Sequence, residues 1–206
     1  MQVFLIHGMG RTPLSMLWLR HRLRADGHRV ALFGYSPTFE SLDRVTGRLL
    51  HRLRKLSPAE PYALVGHSLG TVIIRNALDE LGAHPPAACF FIAPPLTASR
   101  AARFFCRFRL YRLLTGDMGQ RLADDAFMNR LPLPQHLRIY AGTSGPRRAW
   151  LPFGDEPNDG LVTLAEASGD NGSHVMEVDA MHTFIMNANA VIADIREQLR
   201  LLETGR

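Results

Sequence analysis

Apolar residues along this chain fall into two alternating patterns. Short continuous apolar runs at 3–6, 29–33, 62–65, 88–92, 137–140 and 174–178 suit buried parallel strands, because both faces of each run are apolar. Between them, 13–25, 40–56, 69–81 and 189–202 repeat their apolar positions at helical spacing. The punctuation agrees with this division. Thr12 and Pro13 read as a helix start, and Gly27 and Gly82 as helix stops. Ser57-Pro58 ends the second helix, and Pro94-Pro95 ends the fourth strand. Two stretches break the alternation: an excursion at 96–135, rich in Arg, Phe and Leu, and a Gly/Pro-rich loop at 142–160.

Strand–helix alternation over the whole length predicts a three-layer α/β/α sandwich around a mostly parallel sheet of about six strands. One domain is expected over 1–206, with 96–135 as a small helical cap inserted in it. Hydrophobic residues make up 46% of the chain, enough for a substantial core. The formal charge is +5, yet Lys55 is the sole lysine and the arginines are spread over the helices. With no zinc spacing, glycine–aromatic pattern or basic tail, nucleic acid is not an expected partner. Cys89 and Cys106 do not make a disulfide framework. Neither a metal ion nor a cofactor is called for, since no H-x-x-x-H or cysteine cluster occurs. No apolar run reaches about 18 residues, and Met1 leads directly into a core-type strand without a basic leader, so a cytoplasmic location is expected.

The chemistry concentrates at Gly66-His67-Ser68-Leu69-Gly70, which joins the third strand to the third helix. A serine at the apex of a sharp strand-to-helix turn sits in a strained backbone conformation, and small neighbours two positions away give it clearance. The turn lifts the hydroxyl above the sheet and aims the Leu69 N–H, at a helix start, toward a developing oxyanion. In this setting the motif resembles the nucleophile elbow of α/β-hydrolases. A serine nucleophile needs a base, and the base an orienting acid. Of the nine histidines, His174 opens the last strand at the wrong end of a parallel sheet. His182 follows that strand, where such a sheet builds its site, and is the candidate base. The acid should follow the fifth strand, but 141–145 contains no carboxylate. Asp159, in the tight Asn158-Asp159-Gly160 turn, is preferred; Asp155 remains open, and Asp179 ranks last. His7-Gly8-Met9-Gly10 after the first strand offers Met9 N–H as a second oxyanion donor. It lacks the third glycine and the acidic residue of a dinucleotide fingerprint.

With these residues assembled, the chain resembles small lid-poor bacterial lipases and esterases of the α/β-hydrolase superfamily, and lipid-ester hydrolases similar to GPI inositol-deacylases. His7-Gly8-Met9-Gly10, Gly66-His67-Ser68-Leu69-Gly70, Asn158-Asp159-Gly160-Leu161-Val162 and Met181-His182-Thr183-Phe184 match in order and approximate spacing. The resemblance implies a trimmed hydrolase fold, a Ser68–His182–Asp159 triad, an oxyanion hole at Met9 and Leu69, and ester cleavage through an acyl-enzyme. It is weak for substrate. An acyltransferase or thioesterase on the same triad, or a non-catalytic lipid- or acyl-binding module, stays open.

In the excursion, Arg100 to Arg112 holds five arginines and no acid. Ala101, Phe104, Phe105, Phe108 and Tyr111 are expected on one helical face, with Arg112 intruding. Such a basic, aromatic cap would let Phe104, Phe105 and Phe108 touch an acyl chain and would allow peripheral contact with an anionic membrane. A helix packed on the core with its arginines in water would look the same in sequence.

Overall fold

The structure, a computed structural model, describes residues 1–148, 153–169 and 175–205. Six strands, β1 (Gln2–Ile6), β2 (Arg29–Phe33), β3 (Tyr62–His67), β4 (Ala88–Ile92), β5 (Leu137–Gly142) and β6 (Val175–Val178), form one sheet in the order β2-β1-β3-β4-β5-β6. Every pairing is parallel. The predicted opening of the last strand at His174 lies outside the described residues.

Alternate residues of each strand feed two apolar layers, as the period of two requires. Phe4, Ile6, Leu64, Cys89 and Phe91 pack under α2 (Leu42–Leu53) and α3 (Leu69–Leu78). Val3, Leu5, Val65, Phe90 and Tyr140 pack under α1 (Leu17–Ala25) and the C-terminal helix. The architecture is therefore the predicted three-layer sandwich, with the sheet wholly rather than mostly parallel.

Helix ends depart from the periodicity where local hydrogen bonds intervene. Residues Pro13–Met16 form a 3₁₀ turn rather than the first turn of α1. Thr12 makes no side-chain cap; its carbonyl instead accepts from Ser15 Oγ at 2.8 Å. Helix α2 starts at Leu42 instead of residue 40, because Ser41 accepts from Arg44 N and Glu40 turns back to take the Ser36 N–H at 2.9 Å.

The excursion carries three short helices, α4 (Arg100–Phe105), α5 (Arg109–Arg121) and α6 (Asp125–Arg130). The single amphipathic helix expected across Arg100 to Arg112 does not form. Phe108 is extended (φ −95°, ψ 125°) and restarts the chain as α5, so Ala101, Phe104, Phe105, Phe108 and Tyr111 do not share one helical face. Gly116 kinks α5 at φ +56°, where a Cβ would meet Pro37 O. After β5, α7 (Leu164–Ser168) is fixed by a capping box between Thr163 and Glu166, an element the apolar periodicity did not predict. The last helix, α8, spans Asn189–Thr204. Among the described residues no helix is long and apolar enough to cross a membrane.

One buried charge secures the excursion. Arg75 of α3 is 3% exposed. It donates to the carbonyls of Leu96, Met128, Leu131 and Pro132, at the two ends of the excursion. Burial lowers its pKa to about 10, so it stays charged at neutral pH. Arg75→Met would leave these carbonyls unpaired inside the protein. A loss on the order of 3 kcal/mol in urea unfolding is expected, with Arg75→Lys intermediate because an ammonium cannot reproduce the fork. An unchanged urea midpoint would refute this role.

Candidate active site

The carboxyl ends of β1, β3, β5 and β6 meet at one edge of the sheet, the edge at which parallel α/β sheets build their sites. Ser68 joins β3 to α3 at φ +51° and ψ −119°, a region that L-residues rarely adopt. The flanking glycines explain how the turn closes. A Cβ on Gly66 would lie 2.8 Å from Thr71 N, and one on Gly70 2.8 Å from His7 O. Ser68 N donates to Ile92 O at 2.9 Å and ties the turn to β4. Immediately beyond, Ala93 also has a positive φ, +49°, and redirects the chain into Pro94-Pro95.

The β5–α7 loop returns Asp159 to the centre of the site. Asn158, fully buried, accepts from Gly160 N and donates to Pro146 O and Glu156 O, so it pins the two sides of the detour together. Asp159 is 1% exposed. Its Oδ1 accepts from the N–H groups of Leu161 and Val162 at 2.9 and 2.8 Å. Its Oδ2 lies 2.7 Å from His182 Nδ1. The backbones are joined as well, His182 N donating to Asp159 O at 2.8 Å. A carboxylate held by two backbone donors and one imidazole is a fixed orienter. Of the competing acids, Asp155 is exposed and Asp179 takes the Ser144 hydroxyl.

Ser68 and His182 border one cavity of about 420 Å³, whose wall is mainly apolar: Ala102, Phe105, Tyr111, Leu114, Leu122 and Val162. Phe105 therefore faces the cavity. Phe104 and Phe108 do not border it; they meet edge to face at 5.8 Å. Met9 sits at the cavity rim and receives the Tyr111 hydroxyl on its sulfur at 3.8 Å. Among the described residues, neither Met9 N–H nor Leu69 N–H has a protein acceptor, which leaves both available as oxyanion donors. A larger cavity, about 770 Å³, lies at the opposite end of the sheet among Pro58, Pro61, Pro85 and Pro132 and contains none of these groups.

Three side chains that sequence reasoning passed over brace this arrangement. His7 stacks on Tyr35 at 4.3 Å, and its buried ring has a pKa below the usual value because desolvation disfavours its charge. Arg11, just after the glycine turn, donates to Thr183 O at 2.9 Å and links the β1 loop to the His182 loop. His67 lies beneath both loops. Only the position of Arg11 next to His-Gly-x-Gly could have flagged it. Among the described residues no cluster of three or more His, Cys, Asp or Glu side chains is placed to hold a metal ion.

Comparisons with known proteins bear on the fold and the family. No curated protein sequence matches the chain. The mature lipase BlEst2 of Bacillus licheniformis is similar in structure at a TM-score of 0.74 and 17% identity, over 96% of this chain and 91% of that one. The metagenomic carboxyl esterase MGS0156 follows at 0.72 and 19%, over 100% and 76%. ClbQ of the colibactin NRPS/PKS pathway is similar at 0.61 and 13%, over 100% and 99%. At such identities these likenesses establish the fold. The model of the alpha/beta hydrolase family matches residues 3–198, nearly the full length, and by that match the chain belongs to this family.

Proposed function

We propose that the protein is a serine hydrolase of carboxylic esters, esterase- or lipase-like, working through Ser68, His182 and Asp159. The observation that carries this reading is the His182 Nδ1–Asp159 Oδ2 hydrogen bond of 2.7 Å beside an apolar cavity that Ser68 also borders. In this mechanism Ser68 Oγ attacks the ester carbonyl while His182 Nε2 takes its proton. The alkoxide of the tetrahedral intermediate lies against Met9 and Leu69 N–H. Collapse expels the alcohol, which takes the proton back from His182. Water then repeats the sequence on the acyl-serine. Asp159 keeps the proton of the neutral imidazole on Nδ1 and stabilises the imidazolium. The carboxyl esterase and lipase named among the structural neighbours support an ester as substrate.

The test is hydrolysis of p-nitrophenyl esters from C2 to C16 together with fluorophosphonate labelling, the labelled peptide being sequenced. Label on Ser68 and a chain-length optimum are expected. Absence of both at every length would refute the reading. An alcohol or amine acceptor added to the assay separates acyl transfer from hydrolysis by its products.

The excursion serves in this reading as a cap over the acyl pocket and touches anionic membrane at its periphery. Arg100 and Arg103 are paired with Glu156 and Asp125, whereas Arg107, Arg109 and Arg112 have no carboxylate partner among the described residues. Beside them Phe108, Leu110 and Leu113 are exposed, Leu113 by 71%. Apolar side chains ringed by unpaired arginines suit an anionic interface. Turnover of a long-chain ester is expected to rise several-fold on phosphatidylglycerol vesicles over phosphatidylcholine vesicles. The difference should vanish in 1 M salt, where the Debye length is about 3 Å. Equal rates on both vesicles at low salt would rule the contact out.

A further inference from the structure

We infer that His67 is a positioning residue of the candidate site, holding the His182 loop by a hydrogen bond from its own ring to the backbone of the base. The inference rests on the triad reading above and goes beyond it, because a residue next to the nucleophile would then control where the base stands.

His67 belongs to β3, one residue before Ser68, and is fully packed at 1% exposure. Its Nε2 lies 3.0 Å from the carbonyl oxygen of His182. A carbonyl has no proton to give, so Nε2 carries the hydrogen and Nδ1 the lone pair. Nδ1 has no hydrogen-bond partner among the described residues and faces Gly8, on which a Cβ would stand 2.7 Å away. A buried polar atom without a partner is costly, and an apolar side chain would fill the same space without that cost. The hydrogen bond that the ring makes to the protein is therefore the one at Nε2. That nitrogen spans 115 residues of sequence to the backbone of His182, the candidate base.

The two rings stand 4.9 Å apart, tilted by 46°. A positive charge on His67 would oppose formation of the His182 imidazolium. Burial above all, with the Arg11 guanidinium nearby, holds the His67 pKa well below the usual histidine value and keeps the ring neutral. His67 thus supplies a donor without supplying charge. Gly8 completes the arrangement: only a residue without Cβ lets the β1 turn lie against Nδ1. One ring in this way sets the spacing of the oxyanion turn, the nucleophile and the base.

The test compares His67→Gln, whose amide nitrogen reaches the place of Nε2, with His67→Leu and His67→Asn. Asn keeps polarity but falls short of the His182 carbonyl, and it serves if the Leu variant does not fold. Two readouts are taken on each folded protein: kcat and KM for a p-nitrophenyl ester across pH, and the downfield proton resonance of the His182–Asp159 hydrogen bond. Expected for Leu and Asn is a kcat lower on the order of 10–100-fold with KM little changed. The acid limb should move to lower pH, and the downfield proton should broaden or vanish. His67→Gln is expected to restore kcat, the limb and the resonance. Wild-type kcat and resonance in Leu or Asn would overturn the inference, as would a Gln variant impaired as deeply as Leu. If the wild type hydrolyses no ester, the triad reading fails, and the resonance alone then decides whether His67 positions His182.

Discussion

Ser68→Ala is expected to lower ester turnover on the order of 10⁵- to 10⁶-fold and to abolish fluorophosphonate labelling, while leaving the fold intact. The separation of the two effects comes from the backbone. The Ser68 side chain makes no hydrogen bond within the described residues, and alanine occupies φ +51° no more comfortably than serine does. The strain belongs to the position. Ser68→Gly would relieve it and should raise stability on the order of 1 kcal/mol while remaining inactive. Urea unfolding of wild type, Ala and Gly variants measures this beside turnover. An inactive but more stable glycine variant would mark the strain as serving the site. An alanine variant with retained turnover would remove Ser68 from the mechanism.

Asp159→Asn is expected to cost on the order of 10⁴-fold in kcat. Oδ1 of Asp159 is fixed by two backbone N–H groups, so the amide oxygen of the asparagine must occupy that place. Its NH₂ then faces His182 Nδ1, which becomes an acceptor, and the ring proton moves to Nε2. A histidine protonated there cannot take the proton of Ser68. Geometry is preserved and the tautomer is wrong, so the loss should fall on kcat with the protein as stable as before. Asp155→Asn, at an exposed position, should leave turnover near wild type. The reverse pattern in the two variants would transfer the acid's role to Asp155.

Much of this site could be read before any coordinates. All six apolar runs became strands, since a run buried on both faces has few alternatives. The Gly66–Gly70 turn was legible because its steric demand allows so few residues. Helix ends were not, where a neighbouring polar group outbid periodicity, as Glu40 does at the start of α2. The excursion misled the reading because its Phe and Arg spacing mimics one helix, whereas Phe108 breaks the backbone into two. Helix α7 carried a visible signal, Thr163 followed three residues later by Glu166, in a stretch just past the Gly/Pro-rich loop to which apolar periodicity assigns no element. Arg75 and His67 were beyond sequence reasoning. Their partners are backbone carbonyls far along the chain, and a carbonyl has no residue type to recognise.

Glu166 has a consequence for anyone who would redesign this protein. One of its oxygens closes the α7 capping box on Thr163 N at 2.8 Å, and the other takes Arg100 N at the start of α4 at 2.6 Å. Its carbonyl also receives Leu96 N, and Arg100 in turn grips Glu156 at 3.0 and 2.6 Å. The wall of the cavity and the turn that presents Asp159 are thereby welded into one part. A foreign segment grafted between β4 and β5 to change what the cavity accepts would arrive without its anchor. A working chimera has to exchange residues 96–135 and 153–169 together.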